Sequence, residues 1–290
     1  METVSLKYKD IIAQMRDLAR AETKVSLEDL YKEGNTELLP FIDSIIQENL
    51  LEGSDILAFD RLEKLSSMAD QGKRCILLVE HYSNFDLPVL SYLLRQKGKS
   101  GQKIAESIVA IAGIKLSETN KIVSAFSEAY SRLVIYPSRS IEEIENKISD
   151  PVKRAKELAK ANAINLASMR TLARLKSSGK IILVFPAGTR YRPWDPDSKK
   201  GVREIDSYLR TFDYLCFVSI NGNILRINSQ GEMLDDLVFR DQVLIKASDP
   251  LSCSEFRKTV KENIPADSDI KQAVADAVMY NLEQLNKSVS

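Results

Sequence analysis

Five short apolar runs, at residues 75–79, 108–112, 132–136, 180–185 and 214–220, most constrain what this chain can fold into. Each is too brief for a helix and carries too few polar residues for a surface strand, which is the mark of a strand buried on both faces. The stretches between them are amphipathic, and strand alternating with helix is α/β organisation. The longest such stretch, residues 153–175, carries Leu158, Ala161, Asn165, Met169, Leu172 and Leu175 at spacings of three and four before Ser177-Ser178-Gly179. That predicts one long amphipathic helix with a glycine stop, its inner face on those positions. Ahead of the first run, Leu38, Ile42, Ile45, Ile46 and Leu50, then Leu57, Leu62, Leu65 and Met68, recur at helical spacing with few glycines or prolines. Residues 1–70 are therefore expected to form a small helical domain, and residues 71–290 the α/β domain.

Charge and composition exclude several classes. The 290 residues hold 41 Lys+Arg and 41 Asp+Glu, and a neutral chain lacks the basic excess of a general nucleic-acid binder. With 44% hydrophobic and 28% charged residues the chain is globular in type, and no apolar run approaches the roughly 18–20 residues of a membrane span. Residues 1–10 lack the apolar core of a secretory signal, so a cytoplasmic location is expected. The cysteines, Cys75, Cys216 and Cys253, are odd in number, far apart and without C-x-x-C spacing, which indicates neither disulfides nor zinc, and Cys75 and Cys216 sit in apolar runs, where buried thiols are expected.

The single histidine, His81, follows the first apolar run, with Asp86 five residues on. In α/β sheets ligands bind beyond the carboxyl ends of strands, which is where His81 falls. An imidazole takes a proton from a hydroxyl near neutral pH, and a carboxylate on its other nitrogen fixes the tautomer and stabilises the imidazolium. Pro88 predicts a helix start here, with Asn84 or Asp86 as its cap. The alternative is that Asp86 only caps the helix and His81 is an ordinary loop residue; the pair alone leaves both open.

A second constellation closes the fourth run: Phe185-Pro186-Ala187-Gly188-Thr189-Arg190-Tyr191-Arg192-Pro193. The turn at Gly188 and Thr189 lets backbone approach a ligand, and Arg190 and Arg192 suit bidentate binding of phosphate or carboxylate. Ion pairing of these arginines with Asp195, Asp197 or Glu204 explains them equally well. Arg139 lies just beyond the third run and Pro137, with Lys115 and Lys121 upstream.

A strand followed by H-x4-D, then a strand ending in F-P-x-G-T-R, resembles the glycerolipid acyltransferases. Arg190-Tyr191-Arg192-Pro193 makes the soluble, chloroplast-type glycerol-3-phosphate acyltransferases the most similar subgroup, over about residues 75–220. The resemblance implies a mixed sheet flanked by helices after a helical domain. It further implies His81 as base, Asp86 as its orienting carboxylate, and Arg139, Arg190 and Arg192 as ligands of the acceptor phosphate. Three positions depart from it: Ser140 stands where that subgroup has the second residue of a basic pair, Ala187 where membrane-bound members have Glu, and Ser219 where many have proline. The implied reaction transfers an acyl group from acyl-CoA or acyl carrier protein to glycerol 3-phosphate, giving lysophosphatidate for phospholipid synthesis, with no metal and no other cofactor. Two alternatives stay open: a lysophosphatidate acyltransferase, and a non-catalytic protein binding anionic lipid or phosphate. Peripheral contact with a membrane is compatible with all three.

Overall fold

The computed structural model describes residues 2–20, 25–114, 121–231 and 233–289. Its strands are β1 (Tyr31–Lys32), β2 (Asp55–Leu57), β3 (Cys75–Val79), β4 (Ile108–Gly113), β5 (Arg132–Ile135), β6 (Ile181–Val184), β7 (Tyr214–Asn221), β8 (Leu225–Arg226), β9 (Leu237–Val238), β10 (Leu244–Ala247) and β11 (Leu251–Ser252). The helices are α1 (Val4–Lys7), α2 (Lys9–Leu18), α3 (Leu39–Asn49), α4 (Phe59–Asp70), α5 (Asp86–Gln96), α6 (Gly98–Ser107), α7 (Lys121–Glu128), α8 (Ser138–Lys147), α9 (Pro151–Leu175), α10 (Glu204–Leu209), α11 (Cys253–Glu262) and α12 (Ile270–Lys287). All five apolar runs are strands, so the α/β class with a mixed sheet and flanking helices is what the chain adopts.

Two compact units divide the chain, and neither starts or stops at residue 70: Met1–Lys9 with Phe41–Ile108 and Lys176–Ser290, and Asp10–Pro40 with Val109–Leu175. In the first, strands run in the order β6-β3-β7-β10-β2. β3 is parallel to β6 and β7, β7 antiparallel to β10 and β11, and β10 parallel to β2. Every residue of β3 and β6 is buried, and each large aliphatic side chain there contributes about 1.5–3 kcal/mol. Gly72, at φ +80°, stops α4 just ahead of β3. Its N–H reaches the carbonyl of Ala69 and that of Lys73 reaches Met68, a Schellman closure that only a residue tolerant of positive φ makes cheaply.

In the second unit β4 and β5 are parallel and β1 is antiparallel to β5. The long helix α9 is pinned to β5 by polar side chains: Asn165 bonds the N–H and C=O of Tyr136 at 2.8 and 2.9 Å, and Ser168 Oγ donates to the carbonyl of Val134 at 2.6 Å. The face it buries is Ala161, Ile164, Ser168 and Leu172. This corrects the predicted face, because Met169 is 45% exposed and Ile164 takes the inner position.

Residues 1–70 also differ from the all-helical expectation. They contribute β1 and β2, which are two and three residues long and too short to leave an apolar run. All three cysteines are buried, and burial pushes each thiol up to about 12, which keeps them protonated.

Candidate active site

β3 leaves the sheet through Glu80 and His81, and β6 leaves it through Phe185. Because the two strands are parallel, with Leu78 opposite Val184, both exits lie at one carboxyl edge. There the His81 ring stacks on Phe185, with centroids 3.9 Å apart and planes 14° from parallel.

Asp86, the first residue of α5 and 4% exposed, turns its carboxylate back over the loop. Its Oδ2 accepts from His81 Nδ1 at 2.8 Å, from the N–H of Tyr82 at 2.6 Å and from the N–H of Ser83 at 2.9 Å. This geometry explains the spacing, since one carboxylate closes a turn of four intervening residues and seizes the imidazole at its end. A carboxylate at Nδ1 holds a proton there and leaves the lone pair on Nε2, which has no partner among the described residues. The predicted cap is not observed. Asp86 bonds amides upstream of α5, Ser83 Oγ accepts from the N–H of Phe85, and the Asn84 side chain reaches Asp236. The helix start is therefore organised around the imidazole rather than around its own first amides.

The neighbouring Glu80 is 5% exposed and fully engaged. Tyr82 Oη donates to it at 2.9 Å, the N–H of Ile220 at 2.9 Å and Asn286 Nδ2 at 2.7 Å. Burial pushes its carboxyl above the usual range, with those three bonds pulling the other way. Burial, and then Glu80 itself, push the Tyr82 hydroxyl up.

The arginine turn is built on Gly188, at φ +64°, whose N–H returns to the carbonyl of Phe185 at 2.9 Å. Thr189 is the next residue, half-buried, and the N–H of Tyr191 donates to the carbonyl of His81 at 2.8 Å. Arg190 Nη1 is paired with Asp236, a carboxylate 1% exposed that also accepts from Asn84 Nδ2 and from the N–H of Asn228, each at 3.3 Å. Burial pushes the Asp236 carboxyl up against the opposing pull of Arg190. Arg192 lies 3.8 Å from Asp195 and its N–H donates to Ser198 Oγ. Of the acidic residues close to these arginines in sequence, Asp195 is thus found beside Arg192. Arg190 instead takes Asp236, a distant residue that no motif singles out.

Arg139 is exposed in the second unit, the second residue of α8, past the carboxyl end of β5. Ser140 beside it is buried, its N–H on the carbonyl of Pro137. Lys121 opens α7, and Lys115 lies outside the described residues. Ala187 is buried, as is Ser219, whose Oγ has no hydrogen-bond partner among the described residues. A pocket lined by Leu50, Leu51, Tyr92, Leu93 and Lys97 lies at the end of α5 away from Asp86 and is separate from this site.

No curated protein matches the chain. A family model described as Acyltransferase matches residues 58–214, more than half of the sequence. That match runs through both strand ends, the imidazole, its carboxylate and the arginine turn, and it makes this chain a member of the Acyltransferase family.

Proposed function

We propose that the protein transfers a fatty acyl group from a thioester, acyl-CoA or acyl carrier protein, to the 1-hydroxyl of glycerol 3-phosphate. The observation that carries this reading is the open Nε2 of His81, on an imidazole held by Asp86 and hydrogen-bonded through its own carbonyl to the arginine turn.

His81 Nε2 takes the hydroxyl proton while Asp86 stabilises the imidazolium that forms. The hydroxyl oxygen attacks the thioester carbonyl, the tetrahedral intermediate expels the thiolate, and the imidazolium returns its proton to that sulfur. The acceptor itself is the nucleophile, so the protonated cysteines and Ser83 have no covalent role. The intermediate's oxyanion needs N–H donors. Of the amides between His81 and Asp86, those of Tyr82, Ser83 and Phe85 are engaged, and that of Asn84, which has no partner among the described residues, is the candidate donor from this loop.

Among the described residues Arg190 uses only Nη1, on Asp236, and Arg192 is only loosely held by Asp195, so both have donors for a phosphate. Fixing the acceptor by its phosphate uses binding remote from the reacting centre to orient the hydroxyl. Arg139 is assigned to the same phosphate by resemblance alone.

The test is product formation from palmitoyl-CoA with glycerol 3-phosphate, glycerol or lysophosphatidate as acceptor, in wild type and His81→Ala. Lysophosphatidate formed from glycerol 3-phosphate and lost in the variant is the expected result. Phosphatidate formed from lysophosphatidate alone would replace the acceptor assignment. Silence with every acceptor and with both donor types would mean a binding protein.

A further inference from the structure

The long helix α9 (Pro151–Leu175) carries a second surface, remote in kind from the chemistry above. Its inner face is fixed by Ala161, Ile164, Ser168 and Leu172, so the opposite face is presented to solvent. On that face Val152, Leu166 and Met169 are 80%, 58% and 45% exposed, spaced along the helix among exposed Ala155, Ala159 and Ala173. Lys153, Lys156, Lys160, Arg170 and Arg174 are exposed with them. No ion pair engages any of these five among the described residues, and the only acidic residue of the helix, Glu157, is half-buried. With Arg154 the helix holds six basic residues against one acidic, a net of +5 that the rest of a neutral chain must balance. The packed neighbour α8 carries Glu142, Glu143 and Glu145 against Arg139 and Lys147, so the basic excess belongs to α9 and not to its neighbour.

We propose that the outward face of α9 docks onto an anionic lipid bilayer. A helix lying in the plane of a membrane surface needs an apolar strip to enter the headgroup boundary and cations beside it to meet lipid phosphates. α9 has both, and at 25 residues it is about 37 Å long, enough to contact many headgroups at once. An acidic protein would meet the same charges. The bilayer is favoured because the apolar side chains stand singly among alanines on a smooth face, which suits a fluid surface with no matching shape. The proposal does not depend on the acceptor assigned above.

Co-sedimentation of the full chain with vesicles of phosphatidylcholine, alone or mixed with phosphatidylglycerol, tests it. Binding is expected only to the mixed vesicles, and it should weaken as salt rises. Each surface cation strengthens partitioning about fivefold, so replacing Lys153, Lys156 and Lys160 together with Gln should lower it about a hundredfold. Leu166→Ser with Met169→Ser should lower it about tenfold or more. Both variants should keep wild-type circular dichroism and wild-type turnover of water-soluble substrates. No binding to mixed vesicles, equal binding to neutral ones, or binding unmoved by these substitutions overturns the proposal. So does capture of an acidic carrier protein that the same variants lose while vesicles are ignored.

Discussion

The backbone N–H of Tyr191 donates to the carbonyl oxygen of His81 across 2.8 Å, tying the loop that carries the arginines to the residue that carries the imidazole. Asp236 ties the same two loops a second time, through Arg190 on one side and Asn84 on the other. The imidazole and the arginine turn are thus held at a fixed separation by bonds outside the sheet.

His81→Ala should lower kcat by about 10²–10⁴ with little change in Tm, since the side chain is partly exposed and fills no core position. Asp86→Asn keeps an acceptor for the amides of Tyr82 and Ser83 but removes the charge beside the imidazole, and should lower kcat by about 10⁴ in a folded protein. Asp86→Ala leaves those two amides without an acceptor and should cost about 1–3 kcal/mol for the buried one of Ser83 and less for the part-buried one of Tyr82. Steady-state kinetics and urea unfolding on the three variants separate chemistry from structure.

Arg190 and Arg192 should behave differently. Arg192→Ala should raise the KM for a phosphorylated acceptor and leave stability unchanged, because its contact with Asp195 is long and partly exposed. Arg190→Ala should raise the same KM and also destabilise by about 3–5 kcal/mol, because it strands the Asp236 carboxylate in the interior. Arg190→Ala with Asp236→Asn should recover most of the stability and none of the acceptor affinity.

Glu80 gives the fold a pH dependence opposite to that of most ion-paired carboxylates. Its folded pKa is raised above the ordinary 4.5, so the native state holds the proton more tightly than the unfolded state. Its stabilising contribution is complete below that ordinary value and is lost as pH rises through the folded pKa. Asp236, raised from 3.8 by burial, acts in the same sense. Glu80→Gln can keep partners for Tyr82, Ile220 and Asn286 without a charge. The Tm of this variant minus that of wild type should therefore increase as pH rises from about 4.5 towards neutrality. A difference that is flat or falls with pH would contradict the burial-driven shift.

Gly188→Ala places a Cβ at φ +64° and 3.3 Å from Val202 Cγ1. The left-handed backbone alone costs about 1–2 kcal/mol. Gly72→Ala, at φ +80° with nothing within 4 Å, measures that strain without a contact. Gly188→Ala should lose more stability than Gly72→Ala, and only Gly188→Ala should raise the KM for glycerol 3-phosphate.

Much of the fold was legible because buried strands announce themselves. The runs at 75–79 and 180–185 end within a residue of β3 and β6, and the imidazole and the arginine turn stand just past those ends, where a ligand-binding edge is expected. Asp236 was not legible: it stands 46 residues from Arg190 in an irregular stretch between short strands, with no periodicity to mark it. Asn165 lies on the inner face of α9 as its spacing predicts, but Ser168 takes an inner position too, bonded to the carbonyl of Val134, and a pattern of apolar residues does not reveal such a polar anchor. β2 escaped because only Ile56 of its three residues is buried, and pairing with β10 is what makes it a strand.

The bond from Asn286 to Glu80 spans 206 residues of sequence. A ribosome adding about 5–20 residues per second takes on the order of 10–40 s to cover that distance, and until then the carboxylate beside the imidazole waits for one of its three donors. Strand β3 emerges early, yet the hydrogen bonding at its tip is completed only when α12 arrives. A nascent chain stalled before α12 would already hold its histidine and both arginines while the buried Glu80 carboxylate still lacked this donor. Full stability of the loop that carries the imidazole should therefore appear late in synthesis, as a step rather than in proportion to the length made.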